Sequence, residues 1–151
     1  MLKLTNEARQ ILIKAETLIQ DSIGYPVKLI AYPQASPYMP HLRQLLAEHY
    51  DIDPMAIYGA CRKAEVVKAR HIYWWVCFNY FQLSLEAIAN DSARERQRSN
   101  NHTSVMHGVK KIDHYILKDT DPICDSIDVI CTEIKKLINS KKNNKYETET
   151  N

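Results

Sequence analysis

Residues 100–112 read Asn-Asn-His-Thr-Ser-Val-Met-His-Gly-Val-Lys-Lys-Ile, and this stretch predicts an amphipathic helix over about 102–117. One side of the helix is apolar and repeats at helical spacing: Val105, Val109, Ile112 and Ile116. The opposite side is polar: Thr103, His107, Lys110 and His114. The apolar side needs a core to pack against, whereas the polar side carries short hydrogen-bonding groups first and cations later. That arrangement suits a helix that enters the major groove of DNA end-first.

The rest of the chain also predicts helices, and no segment shows the alternation needed to build a sheet. The expected parts are an N-terminal helix over 1–23, a proline-rich connector over 24–40, a helical domain over 41–138 and a disordered tail over 139–151. Asp53-Pro54 and Asp121-Pro122 each pair an N-cap acid with a proline, a signal that starts a helix. The helix over 65–81 is apolar on every side in its second half, which predicts a buried central helix with its aromatic residues in the core.

The formal net charge of +2 is unevenly distributed along the chain. Residues 59–118 carry ten Lys/Arg and five Asp/Glu, a net charge of +5, whereas 1–58 and 119–151 carry −1 and −2. A locally basic field is typical of a protein that binds a polyanion. The basic segment contains the helix over 102–117, so both signals indicate the same part of the chain.

Several other classes of function find no support in the sequence. Four scattered cysteines and six scattered histidines lack ligand spacing, so we expect reduced cysteines, no metal and no other cofactor. The three glycines build no G-x-x-x-x-G-K-[ST] phosphate loop, and no nucleophile–base set or carboxylate pair is evident. We therefore expect no enzymatic activity and no bound nucleotide. Charged residues interrupt the first twenty positions and no apolar run has membrane-spanning length, so we expect a cytoplasmic protein without a membrane partner.

A short helix over 85–89, capped by Ser84, and the helix over 102–117 form a helix-turn-helix candidate over 84–117. Three motifs occur in order along the chain. The first is Leu46-Ala-Glu-His-Tyr-Asp-Ile52, followed by Arg62-Lys63 and Val66-Val-Lys-Ala-Arg70. The second is Leu83-Ser-Leu-Glu-Ala-Ile88, and the third is His102-Thr-Ser-Val-Met-His-Gly-Val-Lys-Lys-Ile112. In this order they resemble the C-terminal DNA-binding domain (domain IV) of the bacterial chromosomal replication initiator DnaA, over about residues 42–118. The third motif is the most specific: the family writes it Asp-His-Thr-Thr-Val, an apolar residue, His, Ala and a basic-basic-Ile end. The resemblance implies an all-α helix-turn-helix domain of the DnaA C-terminal (Trp-repressor-like) type, here with an extra N-terminal helix.

The resemblance implies contacts to DNA bases at two places. In the family an arginine of the basic loop enters the minor groove, and the matching residue is Arg62; a guanidinium suits the negative potential of a narrow groove. The start of the family's recognition helix reads base edges in the major groove, and the matching residues are Asn101, His102 and Thr103. Without that role Asn101 would simply cap its helix, and Arg62 and His102 would be ordinary surface residues.

Seven residues are predicted to contact phosphates: Lys63, Lys68, Arg70, Ser84, Ser104, Lys110 and Lys111. Ser84 and Ser104 could instead cap or back-bond to their own helices. His107 matches a family histidine, and a DNA contact and a packing role are equally open for it. With about six such contacts, the logarithm of the affinity would fall with the logarithm of the salt concentration with a slope near −5, at roughly −0.9 per contact.

The sequence departs from the family's pattern at two places that bear on recognition. Asn101 replaces the family's acid before the histidine, and because asparagine can grip adenine through both amide atoms, this predicts a changed DNA site. The connector between the two helices is longer, since Ser92-Ala-Arg-Glu-Arg-Gln-Arg-Ser99 replaces a Gly-Gly-Arg turn. Its arginines could contact phosphates or form a surface insert.

The sequence therefore predicts sequence-specific binding of double-stranded DNA, in replication initiation or its regulation, without ATPase activity. The alternative is a protein–protein adaptor or a transcriptional regulator on the same helical scaffold. Residues 1–58 are the part that could bind a protein partner or a second copy of the chain.

Overall fold

The computed structural model of this chain describes the backbone of residues 5–29, 35–94, 100–119 and 121–149, and the side chains of these residues apart from 92–94 and 145–149. Over those ranges it contains α1 (Asn6–Ile23), α2 (Met39–Tyr50), a 3-10 helix (Pro54–Tyr58), α3 (Ala64–Asn79), α4 (Leu85–Arg94), α5 (His102–Lys118) and α6 (Ile123–Glu149), and no strand. The predicted all-α class is confirmed. None of the described helices combines the length and apolar character that crossing a bilayer requires. The chain divides into two compact units, residues 1–33 and 34–151.

The first unit consists of α1 and the segment that follows it. α1 begins after the N-cap Thr5, whose Oγ1 accepts a hydrogen bond from a first-turn backbone N–H at 3.2 Å, and ends at Gly24 with φ +75°. Gln20 Nε2 donates to the carbonyl of Val27 at 2.9 Å, which holds the returning chain against the helix. No residue of α1 is buried. Large apolar side chains on it are exposed: Ile11, Ile13, Leu18, Ile19 and Ile23.

α3 is the central helix of the second unit. It packs against α2, the 3-10 helix, α4, α5 and α6. Its fully buried residues are Ala69, Ile72, Tyr73, Val76 and Cys77. The prediction of a buried central helix from its all-round apolar sequence is confirmed. Phe78, next to the helix end, is an exception among the aromatic residues, because 39% of it is exposed.

α5 packs unusually closely against α3. Its residues Val105, Val109 and Ile112 are buried, as their spacing predicts. Gly108 lies on the same side, and a Cβ added there would be 2.6 Å from Trp74 Cε3 and 2.9 Å from His71 Cδ2. The two helices can approach this closely only because residue 108 has no side chain. The polar side of α5 is exposed, also as predicted: Thr103, His107, Lys110 and His114.

A buried carboxylate, Asp91, fixes α4 against three other helical segments. Tyr73 Oη donates to Asp91 Oδ2 at 2.5 Å, and Tyr58 Oη donates to the same oxygen at 2.8 Å. Arg43 Nη1 lies 3.8 Å from that oxygen and donates to Tyr73 Oη at 3.2 Å. Burial raises the pKa of Tyr58 and of Tyr73, so both phenols stay protonated and remain donors.

Two further contacts position the helix-turn-helix. Ser84 Oγ accepts a hydrogen bond from Ala87 N at 3.1 Å and so caps the start of α4. Trp75 Nε1 donates to Asp113 Oδ1 at 2.8 Å, which joins α3 to the second half of α5. The orientation of α5 is therefore set by apolar packing on one side and by a polar contact at its far end.

The ends of several helices differ from the sequence prediction. α6 runs to Glu149, whereas we predicted an end near residue 138 and a disordered tail over 139–151. The sequence over 139–149 contains neither proline nor glycine, so nothing local ends the helix, and Lys141 Nζ lies 5.0 Å from the ring centroid of Tyr38. α2 begins at Met39, inside the predicted connector, because proline is tolerated in a first helical turn.

Two details of the helix-turn-helix also differ. α4 continues to Arg94, whereas we predicted that this helix ends at residue 89. The buried stripe of α5 ends at Ile112, since Ile116 is 40% exposed. The backbone of residues 95–99, in the predicted arginine-rich insert, lies outside the described residues.

We expect Gly108→Ala to lower the free energy of unfolding by about 1–2 kcal/mol. A Cβ only 2.6 Å from the buried Trp74 ring is well inside van der Waals contact, so the methyl group should cost about 2–3 kcal/mol, the upper part of the usual range. The better helix propensity of alanine offsets about 1 kcal/mol. Urea unfolding followed by circular dichroism measures the change. Gly59→Ala is the control, because a Cβ there would meet Ala56 O at an ordinary 3.6 Å. Equal stability of Gly108→Ala and the parent chain would contradict the close packing of α3 and α5.

Candidate nucleic-acid interface

Three predicted base-contact residues form the exposed start of α5. Asn101 has an extended backbone (φ −79°, ψ 133°), and its Oδ1 accepts a hydrogen bond from Thr103 N at 2.9 Å. It is therefore the N-cap of α5, the local role that the sequence left open for it. His102 and Thr103 follow in the first turn, and both are exposed. The unpaired N–H groups and the positive dipole end of a helix at this point favour an anionic partner.

The exposed face of α5 is basic. Its polar outward side chains beyond the first two positions include Ser104, His107, Lys110, Lys111, His114 and Lys118, and near the helix end Ile116 and Leu117 are exposed as well. The only carboxylate within α5 is Asp113, which accepts the hydrogen bond from Trp75. Among the described residues, Lys110 and Lys111 form no ion pair. The face is thus a set of uncompensated cations beside short hydroxyl and imidazole groups.

The basic loop before α3 presents Arg62 and Lys63 to solvent. Both side chains are exposed, and Lys63 is the N-cap residue of α3. The loop is held in shape from beneath by the guanidinium of Arg70. Arg70 donates from Nε to Ile57 O at 2.7 Å, from Nη1 to Cys61 O at 3.1 Å, and from Nη2 to Gly59 O at 2.6 Å.

This placement corrects the prediction for Arg70. We predicted a phosphate contact, but Arg70 is only 9% exposed, and its Nη2 also donates to Ala56 O at 3.2 Å. Burial lowers the pKa of the guanidinium, and the carbonyl acceptors take the place of water. Arg70 is therefore a positioning residue for the loop, because four of its five N–H donors are already used inside the protein.

A cavity of about 240 Å³ brings together cations from three parts of the chain. Arg62 of the loop, Lys68 of α3 and Lys111 of α5 all line it. The other lining residues are Ala64, Val67, His71, Tyr115, Asp121 and Ile123. Since Lys111 is nine residues after His102, the cavity lies about 14 Å along α5 from its start, at about 1.5 Å per residue. The loop arginine is thus beside the same helix that carries the exposed polar tip.

His71 is a member of this cavity that sequence reasoning missed. Its ring is half-buried, and burial together with the nearby charges of Lys111 and Arg70 lowers its pKa to about 4. It is therefore neutral at pH 7 and adds no charge to the cations around it. His71 follows Lys68 by three residues, a helical spacing that places both side chains on the same side of α3. The several aromatic residues in the same stretch, however, indicated only a buried core.

The remaining predicted residues divide by exposure. Lys68, Ser104, Lys110 and Lys111 are exposed, whereas Ser84 is half-buried and caps α4. The capping alternative for Ser84 is therefore observed, although its hydroxyl hydrogen is still a possible donor. No group of three or more His, Cys, Asp or Glu in the described part of the chain could hold a metal ion.

Comparison with known proteins gives a family match over these helices. Residues 41–112, from α2 into α5, match the family described as the bacterial DnaA protein helix-turn-helix. Similar curated relatives are the chromosomal replication initiator protein DnaA of Borreliella afzelii strain PKo, 27% identical, and that of Borreliella burgdorferi strain ATCC 35210, 26% identical, each over 121 residues. The alignments cover 80% of this chain and 24% of each relative, so the chain spans about a quarter of the relatives' length. The resemblance read from the three motifs is confirmed.

We expect acidification to destabilise the protein through His71. Its pKa is about 4 when folded, below its ordinary value of 6.5, so between these values the unfolded chain binds a proton that the folded protein does not. The stabilisation is complete above about pH 6.5 and is lost as the pH falls toward about 4. The pKa shift of His71 corresponds to at most roughly 3 kcal/mol of the free energy of unfolding. Because His71 is only half-buried, solvent screening reduces this contribution to about 1 kcal/mol.

Urea unfolding at about pH 7.5 and about pH 5 measures this effect, with His71→Gln as the comparison. The variant has no imidazole, so it should lose about 1 kcal/mol less between the two pH values than the parent chain. Equal losses in the two proteins would show that His71 does not titrate as described.

Proposed function

We propose that residues 41–112, which match the bacterial DnaA helix-turn-helix family, form a DNA-binding domain of that type and that the chain binds double-stranded DNA with sequence specificity. A domain of this type is a DNA-binding module rather than a catalytic one. In the proposal α5 lies in a major groove with Asn101, His102 and Thr103 at base edges, and Arg62 enters the neighbouring minor groove. The observation that carries the proposal is the exposed basic face of α5, which continues to Arg62 through the shared cavity.

The distance between the tip of α5 and the loop that carries Arg62 supports a binding mode in which the protein lies across one DNA strand's backbone. The cavity beside Arg62 is about 14 Å along α5 from His102, at about 1.5 Å per residue. The major groove is about 12 Å wide and the minor groove about 6 Å wide, so a helix tip and a loop arginine at this spacing can occupy adjacent grooves. Lys68 and Lys111 line the cavity between them and are suited to the intervening phosphates.

The chemistry of the exposed groups fits those positions. His102 can donate to acceptors on a base edge, and the methyl group of Thr103 can contact a thymine methyl. The proposed phosphate contacts are Lys63, Lys68, Ser84, Ser104, Lys110 and Lys111, with Arg70 removed from the set predicted from sequence. Together with Arg62, this set contains five exposed cations. The logarithm of the DNA affinity should therefore fall with the logarithm of the salt concentration with a slope of about −4.5, at about −0.9 per contact.

We further propose a role in DNA replication initiation or its regulation, in the cytoplasm and without ATPase activity in this chain. The relatives that it resembles are named chromosomal replication initiator proteins, and this chain carries no phosphate-loop motif. Binding at a replication origin is the corresponding form of the sequence-specific DNA contact.

The apolar side chains of α1 favour a second candidate function, contact with a protein. Ile11 is 67% exposed and Leu18 is 68% exposed, and one helix face that leaves such residues in water is typical of a protein contact. We propose that α1 binds a second copy of the chain or another protein while the second unit binds DNA.

We expect Arg62→Ala and Lys110→Ala to weaken DNA binding in different ways. Arg62→Ala should cost about 1–3 kcal/mol and relax the preference at the base pairs of the minor-groove contact, because a base-reading side chain is lost. Lys110→Ala should weaken all sequences alike and reduce the salt slope by about 0.9, because a phosphate contact is lost. Selection from a random duplex library, followed by mobility-shift titrations at several salt concentrations, measures both effects.

Lys136→Ala is the matched control for these variants. Lys136 is an exposed cation of α6 that pairs with Glu133 at 3.3 Å, outside the proposed surface. Its affinity for the selected duplex should equal that of the parent chain. A parent chain that shifts no duplex at low salt would refute the proposed function, and equal losses for all three variants would refute the assigned surface.

We expect the double variant Ile11→Lys/Leu18→Lys to abolish self-association if a second copy covers α1. Charges on an apolar contact face oppose its burial, while α1 itself keeps its caps at Thr5 and Gly24. Sedimentation velocity over a range of concentrations detects a dimer of the parent chain and its loss in the variant. A monomeric parent chain at all concentrations would exclude the second copy and leave another protein as the partner.

A further inference from the structure

We propose that Asn101 acts at the DNA base as a hydrogen-bond donor only, so that this chain selects a keto base, guanine or thymine, at the position Asn101 faces. The proposal rests on the proposed function, because it assumes that the tip of α5 lies in a major groove. It differs from the expectation drawn from sequence, in which Asn101 grips adenine through both amide atoms.

The N-cap hydrogen bond fixes which end of the amide faces the DNA. Thr103 N lies 2.9 Å from Asn101 Oδ1. A backbone N–H can only donate, so the amide atom that faces it must be the oxygen, and Nδ2 is then the outer end. The cap therefore assigns the orientation of an amide whose two ends are otherwise hard to tell apart.

The outer end of the amide is unused within the protein. Asn101 is exposed, and in the part of the chain that the structure describes Nδ2 has no hydrogen-bond partner. An adenine grip would require Oδ1 and Nδ2 side by side on the base edge, but Oδ1 is directed at the helix backbone. What Asn101 can offer to a groove is two N–H donors.

The major groove offers such a donor two kinds of base. Guanine O6 and thymine O4 are keto acceptors, whereas cytosine N4 and adenine N6 are amino donors. N7 accepts on both purines, so guanine presents two acceptors, while adenine presents one acceptor beside a donor that opposes the amide N–H groups. When an N–H of Asn101 faces a base amino group, two donors meet and neither has an acceptor. The cost of these two unpaired donors discriminates between bases more strongly than the hydrogen bond gained at a keto base does. An aspartate at this position would also cap the helix with one oxygen, but its second oxygen would be an acceptor. The choice between Asn and Asp at residue 101 therefore inverts the hydrogen-bonding polarity of the helix tip.

The test is Asn101→Asp. Aspartate is an equally good N-cap, so the variant should keep the helix content and stability of the parent chain. Random-duplex selection on both proteins identifies the base position whose preference changes, and competition titrations then use duplexes that differ only there. The parent chain should favour a keto over an amino base by at least about fivefold, and Asn101→Asp should favour an amino base by a similar factor.

Asn100→Asp is the matched control for the added charge. Asn100 is the preceding residue, and its backbone N–H donates to Ala89 O at 3.0 Å, so the substitution leaves that contact in place. This variant should bind all duplexes more weakly without changing the base preference. A third variant, Asn101→Ser, keeps a cap but removes the amide, and its preference between keto and amino bases should shrink toward none.

The outcomes separate this inference from the proposed function. A parent chain that binds no duplex sequence-specifically refutes the proposed function, and the inference falls with it. A parent chain that binds specifically, with an Asn101→Asp variant that keeps the same base preference, overturns the inference alone. The same holds if Asn100→Asp changes the preference as much as Asn101→Asp does, because charge alone would then explain the effect.

Discussion

The buried carboxylate of Asp91 is the constraint on which the arrangement of the second unit depends. It accepts hydrogen bonds from Tyr58 and Tyr73 and lies beside Arg43, so α2, the 3-10 helix, α3 and α4 meet at one oxygen. A carboxylate buried in this way is tolerated only while its partners stay in place. α4 is thereby held in one position on α3. Because α5 follows α4 and packs on the same central helix, the direction of its basic face depends on a contact that contains none of its own residues.

Local signals predicted much of the fold. The apolar stripe of α5, the all-round apolar half of α3 and the caps Asp53 and Asn101 involve residues a few positions apart, where helix geometry alone decides the outcome. Asp91 gave no such signal, since an aspartate in a polar stretch looks like a surface residue until three distant partners, Arg43, Tyr58 and Tyr73, assemble around it. The far end of α6 was missed for a related reason, because no residue there stops a helix.

The candidate site shows the same division. The exposed cations of α5 could be predicted because they lie opposite its buried stripe. Arg70 could not, because its guanidinium is used by the carbonyls of a bend whose path depends on tertiary packing. The cavity that joins Arg62 to Lys111 combines residues far apart in the sequence, and Gly108 allows two of the helices that line it, α3 and α5, to lie close together. The family match supports the domain, while the contacts described here show how this particular chain builds it.

The hydrogen bond from Trp75 to Asp113 has a practical consequence. Trp75 and Trp74 are the two tryptophans of the chain, and Trp74 is buried, whereas the Trp75 indole bonds directly to α5. The emission of an indole responds to the polarity around its ring and to the partner of its N–H group. Trp75 thus serves as an intrinsic fluorophore attached to the helix of interest, and a shift of α5 on loading with a ligand can be followed optically without any added label.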